Sequence, residues 1–87
     1  MRKVIIQDNQ KTELVVETDF NEKFNVIKFN KNSFIAKYFK TSGLTLDRLK
    51  EFIVGRIYKQ SNSSNLEEVI RQTNLKNFQD NILVFIE

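Results

Sequence analysis

The sequence predicts a single small α+β domain. Three observations lead there. Two short apolar runs near the start, Val4-Ile5-Ile6 and Leu14-Val15-Val16, are separated by a polar turn. The chain closes on Ile82-Leu83-Val84-Phe85-Ile86, an apolar run that is mostly β-branched or aromatic. Between them lie segments whose apolar residues recur at helical spacing.

At 87 residues there is room for one domain, residues 1–87. Apolar content of 40%, with eight Phe, suffices for a compact core. The absence of Cys excludes disulfide staples and thiolate metal sites. No apolar run has the length of a membrane span, and Met1-Arg2-Lys3-Val4 does not begin a signal peptide. A cytoplasmic protein is therefore expected. A net charge of +3 permits nucleic-acid contact without demanding it. Asn and Lys each occur ten times, which suggests a bacterial or phage source with an AT-rich genome.

The opening runs read as a β-hairpin turning near Asp8 and Asn9, residues that tolerate positive φ. Alternation turns Val4, Ile6, Leu14, Val16 and Thr18 inward, and Lys3, Ile5, Gln7, Glu13, Val15 and Glu17 outward. Residues 19–32 admit two readings. Asp19 with Glu22 forms a capping box, which favours a helix at the start. Phe24 to Phe29 fits a strand nearly as well. Over Ser33 to Thr41 the spacing of Phe34, Ile35, Tyr38 and Phe39 predicts a helix, with Gly43 at its C-cap.

Residues 44–59 also read two ways. Leu46, Leu49, Phe52, Ile53 and Ile57 have helical spacing, and Thr45 suits an N-cap. Alternatively, Lys50 to Val54 form a strand, Gly55 turns, and Ile57-Tyr58-Lys59 make an edge strand. Gln60 to Asn65 read as a loop. Ser64 to Glu67 start a short helix burying Leu66, Val69 and Ile70, ended by Asn74. In the last strand Ile82, Val84 and Ile86 face one way, toward the helix before Gly43, and Leu83 and Phe85 the other.

In order, these pieces resemble ubiquitin and its β-grasp relatives. Lys11-Thr12 enters strand two as in that family. Gly43-Leu44-Thr45-Leu46-Asp47 is similar to its glycine–isoleucine–two-proline–aspartate turn. Phe52-Ile53-Val54-Gly55-Arg56 resembles its isoleucine–phenylalanine–alanine–glycine–lysine run. Leu66 matches the leucine of its short late helix, and Asn81 to Ile86 its last strand. The resemblance implies a mixed four- to five-stranded sheet packed on one main helix. There are departures. Residues 20–32 are longer than the family's strand-to-helix step, Glu51 falls where it buries a leucine, and Leu75 to Asn81 carry extra residues. No Gly-Gly tail follows the last strand, so neither conjugation nor sulfur-carrier chemistry is implied. The comparison is with tailless types such as the small ubiquitin-like proteins of bacterial type VII secretion clusters. If residues 44–59 are one helix instead, the fold becomes a β-hairpin plus a helical bundle with a C-terminal strand.

Nothing in the chain points to catalysis. It has no His and no Cys, and no glycine-rich phosphate loop. Glu67 and Glu68 are adjacent on a helix and point apart. No enzyme, cofactor or metal site is expected.

Two surfaces carry the functional expectations. On the β-grasp resemblance, Ile5, Phe52, Leu83 and Phe85 become neighbours on the sheet face away from the helix. Arg48, Lys50 and Arg56 rim them and favour acidic partners. That implies a protein-binding module, a secretion accessory or an inhibitor of a host enzyme, unless residues 20–32 or a homodimer partner cover the face. The second surface is the stretch from Lys23 to Leu46, which has no acid. There Lys28, Lys31, Lys37 and Lys40 interleave with Phe24, Phe29, Phe34, Tyr38 and Phe39. Such a pattern serves a nucleic-acid-binding regulator. Equally, the aromatics could fill the core while the lysines coat the outside. A helix–turn–helix is disfavoured, because Lys40 stands where its glycine belongs.

Overall fold

The computed structural model describes residues 1–39, 43–56, 66–76 and 80–87. Four strands and three helical segments follow in the order β1 (Arg2–Asp8), β2 (Lys11–Thr18), β3 (Phe24–Phe29), a 3₁₀ helix (Ile35–Phe39), α1 (Leu46–Arg56), α2 (Leu66–Thr73) and β4 (Ile82–Ile86). The α+β class is as expected. The strands form one sheet in the order β3-β2-β1-β4, antiparallel at every pairing.

The hairpin forms as its alternation requires. Asn9 and Gln10 carry φ of 52° and 67°, the pair of left-handed residues that matches strand twist in a two-residue turn. Positive φ thus falls on Asn9 and Gln10 rather than on Asp8. Val4, Ile6, Leu14, Val16 and Thr18 are all buried, on the inner face.

Residues 24–29 are strand, and Asp19 caps no helix. Its Oδ1 accepts from the N–H groups of Asn21, Glu22 and Lys23 at 2.9, 3.0 and 2.9 Å. Thr18 completes the turn, its hydroxyl donating to Lys23 O (2.6 Å) and accepting from Phe20 N–H (2.9 Å). A side-chain oxygen among free N–H groups suits a helix N-terminus or a tight turn alike. Those N–H groups hold the Asp19 carboxyl at about 2, below its ordinary 3.8. Because the folded value is the depressed one, Asp19 supports the fold above its ordinary value, and that support fades as pH falls toward about 2. An NMR titration should place the Asp19 midpoint at about 2. A midpoint at the ordinary value would show that this turn does not form in solution.

The largest departure is at residues 46–56. A helix stands where the ubiquitin-like reading places a strand over 50–54. Thr45 caps it, accepting from Arg48 N–H at its hydroxyl (3.2 Å) and from Leu49 N–H at its carbonyl (2.9 Å). Leu49, Phe52, Ile53 and Arg56 are buried along one stripe. A strand would send Phe52 and Ile53 to opposite faces, whereas a helix puts both against the sheet. The sheet is therefore not mixed. It packs against two α-helices and a 3₁₀ helix rather than one main helix. The strand that the β-grasp reading needs over 50–54 is absent. The alternative's helix here and its C-terminal strand are present, but β3 extends the hairpin to a four-stranded sheet in place of a hairpin with a helical bundle. The expected edge strand at 57–59, the loop at 60–65 and the cap at Ser64 lie outside the described residues, as does the side chain of Leu66.

Ser33 opens the 3₁₀ helix, its Oγ donating to Asn30 O (2.7 Å) and accepting from Ala36 N–H (3.2 Å). Gly43 takes the left-handed φ of 77° expected of it. The described helix spans Ile35–Phe39, and residues 40–42 are outside the described set. α2 buries Val69 and Ile70 and stops where Asn74 and Leu75 adopt φ of 51° and 48°. The core is one layer between sheet and helices, with Val4, Ile6, Leu14, Val16, Ile82 and Val84 facing Ile35, Phe39, Leu49, Phe52, Ile53, Val69, Ile70 and Leu75. Ile86 packs against it half-buried.

Candidate interaction surfaces

The outer face of the sheet is built by register. Ile5 stands opposite Val15 of β2 and opposite Phe85 of β4, and Val15 stands opposite Lys28 of β3. One row thus crosses the sheet as Lys28, Val15, Ile5, Phe85. The row toward the hairpin turn holds Thr12, Gln7 and Leu83. The row on the other side holds Asn25, Glu17 and Lys3. Ile5, Val15, Leu83 and Phe85 are half-buried by one another and by their neighbours. None belongs to the core cluster or to the apolar side chains packed on it. Among the described residues, the helices lie on the opposite side.

Three of the four expected patch residues, Ile5, Leu83 and Phe85, therefore come together. Phe52 does not. It sits on α1, 8% exposed, with ring contacts to Tyr38 (5.0 Å between centroids) and Phe39 (6.0 Å). Moving residues 50–54 from strand to helix carried Phe52 to the inner face and took Arg48, Lys50 and Arg56 with it. None of the three rims the patch. Arg48 pairs with Glu51 one turn on (3.0 Å), and Lys50 lies half-buried on the same helix. Val15 is the member that strand register adds in place of Phe52.

Arg56 has another task. Its guanidinium, 7% exposed, donates to Leu75 O (3.1 and 2.8 Å), to Ile82 O (3.0 Å) and in a fork to both oxygens of Asp80 (2.8 and 3.0 Å). The guanidinium hydrogen bonds hold the Asp80 carboxyl below the usual carboxylate range. Arg56 thus ties the end of α1 to the segment after α2 and to the start of β4. A groove of about 450 Å³ opens beside it, lined by Tyr38, Arg48, Glu51, Phe52, Arg56 and Asp80. Its four charged groups are paired within the chain as Arg48 with Glu51 and Arg56 with Asp80. It offers a ligand few polar groups not already committed.

The acid-free stretch splits. Phe39 is buried, and Phe24 and Phe29 pack half-buried on the core, as a core role for the aromatics requires. Phe34 and Tyr38 do not; they are 52% and 51% exposed and meet edge to face at 6.1 Å. Lys37 Nζ lies 5.2 Å from the centre of the Phe34 ring. Lys31 and Lys37 line one groove of about 390 Å³ with Phe29. Lys28 is exposed on β3, and Lys40 lies outside the described residues.

Among the described residues there is no group of acidic side chains placed to hold a metal ion, and no helix is long and apolar enough to cross a membrane. What sheet and surface define is a small α+β domain with an apolar patch, Ile5, Val15, Leu83 and Phe85, on a sheet face that its described helices leave uncovered. No protein-family model, curated protein or solved structure matches the chain significantly.

Proposed function

We propose that this chain is a non-enzymatic protein-interaction module that docks through the outer face of its sheet. The carrying observation is the row Val15, Ile5, Phe85, aligned by register on a face that the described helices leave bare. An apolar patch framed by polar groups is the ordinary form of a protein interface. Its frame holds both signs of charge, Lys3 and Lys28 with Glu17, so it suits a folded protein with its own apolar centre better than a polyanion. Solvent-side truncation here leaves the core intact, so Ile5→Ser with Phe85→Ser keeps a cooperative thermal transition. Affinity capture from the source cells, with nuclease present, should retain a protein that the double variant loses. That protein, purified, should bind the variant about tenfold or more weakly, as expected for loss of central apolar anchors. Unchanged binding by the variant overturns the reading, as does capture that nuclease abolishes.

The nuclease arm addresses the second reading, a nucleic-acid-binding regulator. One observation favours it: Phe34 and Tyr38 stand half-exposed beside Lys37.

A further inference from the structure

The two edges of the sheet are finished differently. In an antiparallel ladder, the residues that bond one neighbour alternate with those that face the other side. Lys3 and Glu87 exchange both backbone hydrogen bonds (3.2 and 2.9 Å), so Leu83 and Phe85 also face β1, while Ile82, Val84 and Ile86 face the free edge of β4. That edge is largely closed from within the chain. Val84 N–H donates to Asn74 O (2.8 Å), and Val84 O accepts from Asn74 Nδ2 (3.4 Å). Ile82 O accepts from Arg56, and Ile82 N–H donates to Asp80 Oδ1 (3.1 Å).

Among the described residues, the edge of β3 is open. Asn30 N–H bonds Glu13 O (2.9 Å) and Asp19 N–H bonds Lys23 O (3.4 Å), which sets the phase of the β2–β3 ladder. By alternation Asn25 and Lys28 face β2, and the backbone groups of Phe24 and Val26 face outward. Among the described residues, nothing hydrogen-bonds to them. The register slips between Val15 and Val16, so Ile27 is an extra residue between Val26 and Lys28. Val26 and Ile27 are 40% and 50% exposed. Lys23, Lys28 and Lys31 are exposed along the same strand and the turns at its ends. Of the acids on β2 and the turn before β3, Glu22 lies exposed beside Lys23. Glu13 accepts from Asn30 Nδ2 (3.3 Å), Asp19 holds three backbone N–H groups, and Glu17 stands opposite Lys3.

We propose that the free edge of β3 is a docking site for an extended, acidic peptide segment, which adds to the sheet as a fifth strand. Main-chain bonds to Phe24 and Val26 supply the pairing, Val26 and Ile27 supply apolar contact, and the lysines select the charge. A second copy of this chain is the poorer occupant. Pairing two β3 edges gathers Lys23, Lys28 and Lys31 of both copies against a single Glu22 from each, and the slipped register works against self-pairing. Nucleic acid gains nothing from a row of strand backbone groups, and β-branched side chains do not stack on bases.

The probe is a fluorescein-labelled peptide of about eight residues, the length of an ordinary strand, alternating Glu and Val. A Lys-Val counterpart and an oligo-dT strand serve as comparisons. Anisotropy should report binding of the Glu-Val peptide alone, and hydrogen exchange in the native chain should show the amides of Phe24 and Val26 newly protected. Val26→Pro removes an outward N–H without breaking the β2 ladder, as edge strands tolerate. It should keep the thermal transition and weaken the peptide about tenfold or more. Lys28→Glu with Lys31→Glu should reverse the preference toward the Lys-Val peptide. The proposal is overturned by equal binding of both peptides, by none, or by binding without protection at Phe24 and Val26. Oligo-dT as the preferred ligand assigns the lysines to nucleic acid instead. A dimer whose Val26 amide is protected without peptide assigns the edge to a second copy. Ile5→Ser with Phe85→Ser leaves this binding unchanged, so failure here is separate from failure at the outer face.

Discussion

Replacing Arg56 with Ala should cost about 3–5 kcal/mol of folding stability, the range for removing one partner of a buried ion pair. The loss is large because it is not confined to one contact. The carbonyls of Leu75 and Ile82 lose their donor at this site, and Asp80 loses the cation that forks onto it. A buried acceptor left without a donor bears its full desolvation cost. These groups join α1 to the end of α2 and to β4, so the loss should appear as global unfolding. Arg56→Lys keeps the charge but not the planar fork and should recover only part of the loss. Urea unfolding of the three proteins measures this. A cost under about 1 kcal/mol, the scale of a surface pair, would mean that the clamp contributes little. Its acid sensitivity has a defined sign. Asp80 titrates below its ordinary range when folded, so its contribution is present above the unfolded value and is lost as pH falls through the folded one.

Phe52→Ala should be nearly as damaging, at about 3–5 kcal/mol for a truncated core Phe. The ring lies between Tyr38 and Phe39, with the Arg56 guanidinium 5.8 Å from its centre. Removing it opens a cavity between α1 and the 3₁₀ helix and loosens the packing around Arg56. This substitution separates the two folds considered for the chain. On a ubiquitin-like sheet Phe52 faces outward, and its loss weakens a partner while the domain stays folded. In the observed fold its loss destabilises the domain itself. Denaturation of Phe52→Ala beside Phe85→Ser decides the matter. The first should move the midpoint far more than the second, and equal small shifts would return Phe52 to the surface.

Much of the sheet was legible in sequence because a strand declares itself by a period of two. The inward set Val4, Ile6, Leu14, Val16 and Thr18 follows from alternation, which needs no knowledge of what covers the face. The short helix before Asn74 was legible from Val69 and Ile70 and from a residue suited to positive φ. Asp19 was legible as a cap but not as the cap of a turn, because one side-chain oxygen serves both structures. At residues 46–56, helical spacing and a short β-branched run coexist in the same letters. The resemblance to the ubiquitin-like glycine spacing weighted the wrong one. Burial of Leu49, Phe52, Ile53 and Arg56 together settles it, since only a helix presents all four to the sheet.

The interaction face divides the same way. That Leu83 and Phe85 share one face of β4, and that Ile5 faces away from Val4 and Ile6, follows from alternation. Which apolar face of β4 points away from the core is decided by its pairing with β1. That Ile5 meets Phe85 on one side and Val15 on the other follows from register, which depends on pairings between strands far apart in the chain. That Phe52 lies on the opposite side of the sheet depends on a choice of secondary structure made by tertiary burial. Arg56 marks the limit most clearly. Its acceptors are 19, 24 and 26 residues along the chain, so no local pattern distinguishes it from a surface arginine. Short-range periodicity determined which faces of this protein are apolar. Long-range packing decided which of them is covered.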